Sequence, residues 1–252
     1  MTDLGVRPFN ARSLVLSVLL GLPTPRLTMP SLMRLAALFD LAPGTMRTAL
    51  SRMVAAGELE SDESTYELRG RLLERKASQD IGRCPPDGAW DGTWWILAVT
   101  SPNRTVAARR VFRTRMVNAR MGELRPDTWL RPANVPGPEA VGEVVVVRGA
   151  RSGEDPDALV ARLWDLRALA DQCRMLLGAL DTAATDVAAN DVATLPATMM
   201  RAAAIVRFLR NEPLLPRALT PGGWPVDDLR DRYRSFDRQF GHMLRRAIST
   251  RQ

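Results

Sequence analysis

Five polar side chains in the first quarter of the chain are suited to binding a nucleic acid. Thr45, Arg47, Thr48, Ser51 and Arg52 lie in the segment LAPGTMRTALSRMVAAGELES, residues 41 to 61. An arginine can donate to O6 and N7 of a guanine, and a serine or threonine hydroxyl can bind a base or a phosphate. Their spacing therefore indicates recognition chemistry rather than bond-breaking chemistry.

Residues suited to catalysis are sparse. His242 is the only histidine, and no serine triad partner, cysteine or carboxylate cluster lies at a spacing from it that is typical of a catalytic site. A surface or interface position is the simpler interpretation of this histidine. Cys84 and Cys173 are too few and too far apart for a disulfide framework or a metal cluster. The sequence has no glycine-rich phosphate loop and no metal-ligand spacing. We therefore expect a binding protein without a cofactor or metal, not an enzyme.

The charge balance favours an anionic partner. The 252 residues include 35 Lys+Arg and 28 Asp+Glu, for a net charge of +7. Most of the excess lies mid-chain, because residues 104–131 hold eight basic and two acidic side chains. The apolar run at residues 14–22 is about half as long as the roughly 20 residues that a membrane-spanning helix needs. We expect a cytoplasmic protein that does not bind a membrane, with both cysteines reduced.

Hydrophobic periodicity and turn residues around the polar segment follow the order of a winged helix-turn-helix. The predicted elements are, in order, a helix at residues 13–21 that begins at Ser13, a brief strand in RLTM, a helix from Ser31, a helix from Gly44 to Ala56, a hairpin at residues 58–68 and a linking helix at residues 69–81.

The helix from Gly44 to Ala56 has two unlike faces. At 100° per residue, apolar side chains such as Met46 and Leu50 share one arc, which can dock on the preceding helix. Arg47 and Ser51 project the opposite way, and small neighbours would let this face enter a major groove about 12 Å wide. A solvated face without a partner is the alternative, but the winged-helix order favours a DNA-reading helix.

The predicted hairpin, or wing, has an acidic tip. Asp62 and Glu63 would be repelled by phosphates, so we expect the wing to be a scaffold or a weak contact. Contacts with the DNA backbone would then come from Arg12, Arg69 and Arg71 and from the amino termini of helices.

A second unit follows the segment GRCPPDG. TWWILAVTS predicts a buried strand, residues 104–122 a helix closed by Gly122, LRPDTWLRP a second strand and VGEVVVVRG a third, with another helix from near Asp155. This series suggests a ferredoxin-like unit, and the remainder predicts helices at 156–181, 194–211 and 226–249. The fold class is thus α+β, with a winged helix-turn-helix domain at 1–83, a ferredoxin-like dimerisation or effector unit at 84–154 and a helical domain at 155–252.

The helix predicted in the central unit carries a row of arginines. Arg109, Arg113 and Arg120 form an expected exposed stripe, opposite a buried face that includes Phe112 and Met116. Each guanidinium offers a rigid fork of donors that could hold phosphates of a ligand or of DNA, although a solvated face is the simpler interpretation.

The whole chain resembles the PaaX-type transcriptional regulators, which repress phenylacetic acid degradation genes and related operons. The most specific matching segments are RTALSRMVAAGELES, WDGTW and the proline-rich EPLLPRALTPGGWP. The resemblance implies a homodimer whose winged helix binds a palindromic operator, and an effector whose binding releases the DNA. In the phenylacetate regulator this effector is phenylacetyl-CoA. By position, Thr45, Arg47, Thr48, Ser51 and Arg52 match the recognition helix of the family.

One segment departs from the family pattern and bears on the effector. The family carries a His-Glu-aromatic-Arg-Arg run before a DPxLP motif, whereas AAIVR here keeps only Arg207, and Glu212 replaces the aspartate. If that run helps to form the effector site, the effector here is a different aromatic acyl-CoA or a free aromatic acid. Arg109, Arg113, Arg120 and Arg207 are the candidate contacts.

Two alternatives from other classes stay open. The first is an acyl-CoA-binding enzyme or sensor in which DNA binding is vestigial. The second is a nucleic-acid-processing enzyme built on the central unit, although its strand TWWILAVTS lacks the aspartate that such metal-dependent chemistry would require.

Overall fold

The fold is known from a computed structural model that describes residues 4–5, 7–86, 89–101, 104–140, 142–149, 153 and 155–249. A winged helix-turn-helix, a small antiparallel sheet with one helix against it and a bundle of long helices follow one another along the chain, which confirms the predicted α+β class. Asp87 and Gly88 of the GRCPPDG segment, and Val141 of the predicted third strand, lie outside the described residues.

The amino-terminal region has the predicted winged-helix order. Its elements are α1 (Ala11–Gly21), β1 (Arg26–Thr28), α2 (Met29–Leu38), α3 (Pro43–Ala55), β2 (Leu59–Asp62), β3 (Thr65–Leu68) and α4 (Arg71–Arg83). The three strands form an antiparallel sheet in the order β1-β3-β2. α1 begins before Ser13 because Asn10 is the capping residue: Asn10 Oδ1 accepts from the Ser13 amide and Ser13 Oγ accepts from the Asn10 amide, each at 2.9 Å.

The central unit has one strand more than the sequence predicts. It contains β4 (Trp94–Val99), α5 (Val106–Asn118), β5 (Gly122–Arg125), β6 (Thr128–Pro132) and β7 (Val144–Gly149). The segment LRPDTWLRP is not one strand but part of a hairpin that turns at Pro126 and Asp127, where Asp127 has φ +67°. Pro126 cannot donate to a ladder, and aspartate tolerates the left-handed region, so a turn is favoured here.

The sheet order β5-β6-β4-β7 is that of a ferredoxin-like unit, with every neighbouring pair antiparallel. Among the described residues no helix lies between β6 and β7, and the next helix, α6, follows β7 and lies against β5. α5 does not extend to Gly122. It ends at Asn118, and Gly122 opens β5, where an added Cβ would lie 2.6 Å from Leu163 Cβ.

The carboxy-terminal region consists of α6 (Pro156–Leu163), α7 (Leu166–Ala188), α8 (Leu195–Asn211) and α9 (Val226–Ile248), with short 3-10 turns at Val192–Thr194 and Arg217–Leu219. The prediction of one helix over 156–181 is wrong, because Trp164 is extended and the Asp165 side chain caps α7 by accepting from the Ala168 amide at 2.9 Å. Val192–Asn211 has the length and composition of a membrane span, and in this fold it forms α8 and its leading turn, packed against α4 and α7.

One hydrophobic cluster joins the winged helix to the carboxy-terminal helices. It includes Leu14 of α1, Leu50 of α3, Leu176 of α7 and Ile205 of α8, each at most 2% exposed. α2 packs on α9 and α4 packs on α8, so the position of α3 is tied to the carboxy-terminal helices. The two faces of the central sheet bury separate smaller clusters.

Candidate nucleic-acid interface

Helix α3 is held by its apolar side. Met46, Leu50 and Met53 are at most 1% exposed and belong to the main hydrophobic cluster, which confirms the predicted docking face. The spacing of three and four residues places all three on one stripe of the helix. The opposite side of α3 is consequently turned to solvent.

All five residues predicted to read DNA lie on that solvent side: Thr45, Arg47, Thr48, Ser51 and Arg52 are exposed. In the described residues the guanidinium groups of Arg47 and Arg52 make no hydrogen bond or ion pair, so their donors are available to a ligand. The structure thus brings the five predicted residues together on one accessible surface, which we call the α3 face.

The amino terminus of α3 is also available to an anion. Its capping position, Ala42, offers no side-chain hydrogen bond, Pro43 occupies the first turn, and no acidic residue lies in that turn. α1 and α2, in contrast, are capped by Asn10 and Thr28. The unpaired backbone N–H groups and the helix dipole of α3 would both favour a phosphate at this end.

The three arginines expected to contact phosphates differ in their surroundings. Arg12 is hydrogen-bonded through Nε and Nη2 to Glu58, with Nε 3.0 Å from Oε2, and this hydrogen bond is the main reason that the pKa of Arg12 is raised. Arg69 forms an ion pair with Glu60 on β2. Arg71, the first residue of α4, is exposed and has no ion pair among the described residues. Exposed pairs contribute little, so a phosphate could compete for Arg12 and Arg69.

The wing has the acidic tip that the sequence predicts. Asp62 pairs with Thr65 across a two-residue turn, and Asp62 and Glu63 are both exposed. Glu63 has φ +50°, in the left-handed region that is unfavourable for a residue with a side chain. Glu60 and Glu67 also face each other across the hairpin. That the wing contributes little to DNA binding stays a prediction.

The four arginines predicted to bind an effector are not gathered into one site. Arg109 is exposed on α5, whereas Arg113 is paired with Glu123 and lies over the Trp129 ring, 5.9 Å from its centroid. The prediction of an exposed stripe is wrong for Arg120, which is 5% exposed.

Arg120 is turned inward because it follows the end of α5 in the left-handed conformation, with φ +58°. It donates to the carbonyl oxygens of Ser78 at 3.0 Å and Leu209 at 3.4 Å, and burial lowers its pKa to about 10. Arg120 therefore fastens the central unit to α4 and α8.

Arg207, the fourth predicted residue, lies on α8 and donates to the carbonyl oxygens of Leu4 at 2.8 Å and Gly5 at 2.5 Å. It lines a cavity between α1, α4, α8 and α9, which none of the other three predicted arginines reaches. His242 lines the same cavity.

The polar residues that α4 and α8 contribute to this cavity, apart from Arg207, were not predicted from the sequence. Arg75, Gln79 and Arg83 recur four residues apart on α4 and all three line it, together with Arg210 of α8. The spacing along α4 was a visible signal, but nothing local shows that α8 and α9 face it. In the described part of the chain, no group of three or more His, Cys, Asp or Glu residues is placed to hold a metal ion.

Comparison with known proteins agrees with this architecture. A family model described as PaaX-like protein matches residues 10–72, and one described as PaaX protein central Cas2-like domain matches residues 87–145. The sequence is 36% identical to that of an uncharacterized protein, Rv0674, from Mycobacterium tuberculosis, whose structure is solved. The two structures match with a TM-score of 0.70, and the match covers 94% of this chain and 98% of that one. The chain belongs to the PaaX-like family. A search of curated proteins gives no match.

The PaaX-like family is a family of transcription regulators and not of enzymes. The match at residues 10–72 contains the α3 face together with Arg12, Arg69 and Arg71, so all eight predicted DNA-contacting residues fall within it. DNA is accordingly the partner that the family suggests.

Proposed function

We propose that this PaaX-like protein is a homodimeric repressor of an aromatic-compound catabolic operon, which binds operator DNA and is released by an aromatic acyl-CoA or a free aromatic acid. The observation that carries the proposal is the α3 face, where Arg47 and Arg52 stand among small polar side chains without a partner in the described residues. An exposed, unpaired basic helix face on a winged helix is suited to the major groove.

The proposed contacts divide into base reading and backbone positioning. Arg47, Thr48 and Ser51 point away from the core and would meet base edges, because α3 is anchored by its opposite side. The uncapped start of α3 and Arg71 would bind phosphates. Arg12 would do so after exchanging its carboxylate partner for a phosphate, as would Arg69.

A homodimer would place two α3 helices about one turn of DNA apart, or about 34 Å, on a palindromic site. The central unit is the proposed dimerisation region. Two observations support this: Val145 and Val147 on the edge strand β7 are 50% and 48% exposed, and Val111 on α5 is 71% exposed. Exposed apolar residues at a sheet edge favour association.

The α3 assignment is tested by mobility shifts of the DNA beside the gene for this protein. Arg47→Ala should lose about 1 to 3 kcal/mol of specific binding and relax the sequence preference, because a bidentate contact with a base is removed. Arg69→Ala should weaken binding to all sequences alike and reduce the slope of log K against log salt by about one. Arg109→Ala removes the same charge from α5 and should change neither sequence preference nor salt slope.

Specific retardation with two protomers per site supports the repressor. Unchanged affinity and preference in Arg47→Ala would remove Arg47 from base recognition. Salt-sensitive binding to any DNA sequence would overturn the repressor proposal and favour the acyl-CoA-binding sensor with vestigial DNA binding.

A further inference from the structure

A cavity of about 660 Å³ lies between the winged helix and the carboxy-terminal helices. Its wall is formed by α1 and the residues leading into it, by α4, and by α8 and α9. This volume lies within the range of about 300 to 1,000 Å³ that is typical of small-molecule sites. The cavity is therefore large enough for an organic ligand.

The wall of the cavity is strongly basic. Seven arginines line it, whereas Asp237 is the only carboxylate among the described residues of the wall. Asp237 already accepts from Arg83 Nη1 at 3.3 Å. The remaining arginines make no ion pair with any described carboxylate. The cavity consequently has an excess of positive charge that the protein itself does not neutralise.

Two of these arginines approach each other from different elements. Arg75 of α4 and Arg210 of α8 both line the cavity. Burial is the largest cause of the lowered pKa of each, and repulsion adds to it, from Arg210 on Arg75 and from Arg207 on Arg210. Neighbouring guanidiniums without a carboxylate are unfavourable in an empty site and become favourable when an anion binds between them.

The rest of the wall is apolar. Val18 of α1, Met199 and Val206 of α8, and Phe240 and Leu244 of α9 line it. An inorganic ion would leave this surface in contact with water, whereas a ligand with an apolar body would cover it. The chemistry of the wall thus combines an anion site with an apolar site.

We propose that this cavity binds an organic anion, with its carboxylate or phosphate held between Arg75 and Arg210 and its apolar body against α1, α8 and α9. The regulatory consequence rests on the proposed function. The site differs from the one expected from the sequence, because Arg109, Arg113 and Arg120 take no part and only Arg207 is shared.

The position of the cavity explains how such a ligand would act on DNA binding without touching DNA. α1 and α4 belong to the winged helix, and α1 packs directly on α3. An anion bound by both Arg75 and Arg210 draws α4 and α8 together, and so changes the position of α3 relative to the carboxy-terminal helices. In a dimer this changes the separation of the two α3 helices, on which binding to a palindrome depends.

The test is isothermal titration calorimetry of the full chain with three probes: phenylacetate, phenylacetyl-CoA and free coenzyme A. Arg75→Ala and Arg210→Ala should each weaken binding at least tenfold and leave operator binding of the ligand-free protein unchanged. Arg109→Ala is the matched control and should bind as the wild type does. Ala203→Phe keeps every arginine and fills part of the cavity, and should also weaken binding tenfold or more. Unfolding temperatures verify that each variant is folded.

The three probes distinguish the sources of the anion. Binding of phenylacetate supports recognition of a carboxylate, and binding of the thioester or of coenzyme A supports recognition of phosphates. The proposal is overturned if wild-type protein binds none of the three, or if Arg109→Ala weakens binding as much as Arg210→Ala does. Ligand binding without specific operator binding overturns the proposed function alone, and operator binding without ligand binding overturns the cavity proposal alone.

Discussion

The ion pair of Glu212 and Arg230 offers the sharpest test of how the parts of this protein are joined. The Glu212 side chain is 1% exposed and that of Arg230 is 8% exposed. Glu212 also accepts from the Leu214 amide at 3.0 Å, and Arg230 Nε donates to the carbonyl oxygen of Gly82 at 3.1 Å. This pair therefore connects the end of α8 with α9 and with α4.

Glu212→Ala should lower the free energy of unfolding by about 3 kcal/mol. Loss of one partner of a buried pair typically costs about 3 to 5 kcal/mol, because the other charge remains buried. The lower end applies here, since Arg230 keeps a second partner, Asp227, at 2.8 Å. Glu212→Gln retains oxygen and nitrogen atoms that can hydrogen-bond, and should lose about half as much, in line with about 1.5 to 3 kcal/mol for a hydrogen bond to a charged group.

Urea unfolding followed by circular dichroism measures both variants. Asp171→Ala is the control, because the pair of Asp171 and Arg174 is about 60% exposed on each side and should contribute less than about 1 kcal/mol. If Glu212→Ala loses no more than Asp171→Ala does, the buried pair is not a structural junction and the reasoning is refuted.

Three further predictions concern single positions. Gly82→Ala should lower the free energy of unfolding, measured in urea, by about 1 to 3 kcal/mol or more, since the added Cβ would lie 2.3 Å from the Leu209 carbonyl oxygen. Gly178→Ala in α7 is the control and should be neutral or stabilising, because its added Cβ would have no atom within 4 Å. Equal effects of the two substitutions would contradict this prediction. Burial raises the pKa of Cys173 from 9.0 to about 12, so between these pH values the folded state keeps a proton that the unfolded chain loses. The free energy of unfolding should therefore fall as pH rises from 9, by up to about 1.4 kcal/mol per pH unit. In Cys173→Ala this fall should be shallower. If the wild type and the variant lose stability in parallel, titration of Cys173 is not the cause. Glu63→Gly should raise the unfolding temperature, because relief of the left-handed conformation is worth about 1 to 2 kcal/mol, and an unchanged or lower temperature would count against strain at the wing tip.

Local spacing in the sequence was sufficient to predict the winged helix and the orientation of α3. Met46, Leu50 and Met53 are spaced four and three residues apart, which places them on one side of an α-helix. The exposed side of α3 follows from this spacing, without knowledge of which elements cover the apolar side. The wing was predictable for the same reason, because an alternating pattern on both sides of a polar turn defines a hairpin within about ten residues.

Other features depend on contacts between distant parts of the chain. Helical periodicity placed Arg120 on an exposed stripe, but α5 ends before it and Ser78 and Leu209 supply buried carbonyl partners from α4 and α8. The break at Trp164 escaped prediction because the apolar pattern continues through it, and only the cap at Asp165 ends one helix and begins the next.

The basic cavity is the clearest case of a feature that only the tertiary structure decides. Arg75 and Arg210 are separated by more than half of the chain, and each has an ordinary helical environment in the sequence. Packing of α4 on α8 brings their charges to one wall, beside apolar residues of α1 and α9. Periodicity along one helix shows which side chains share a face, but the partner of that face is decided by long-range packing, and here that packing creates the candidate ligand site.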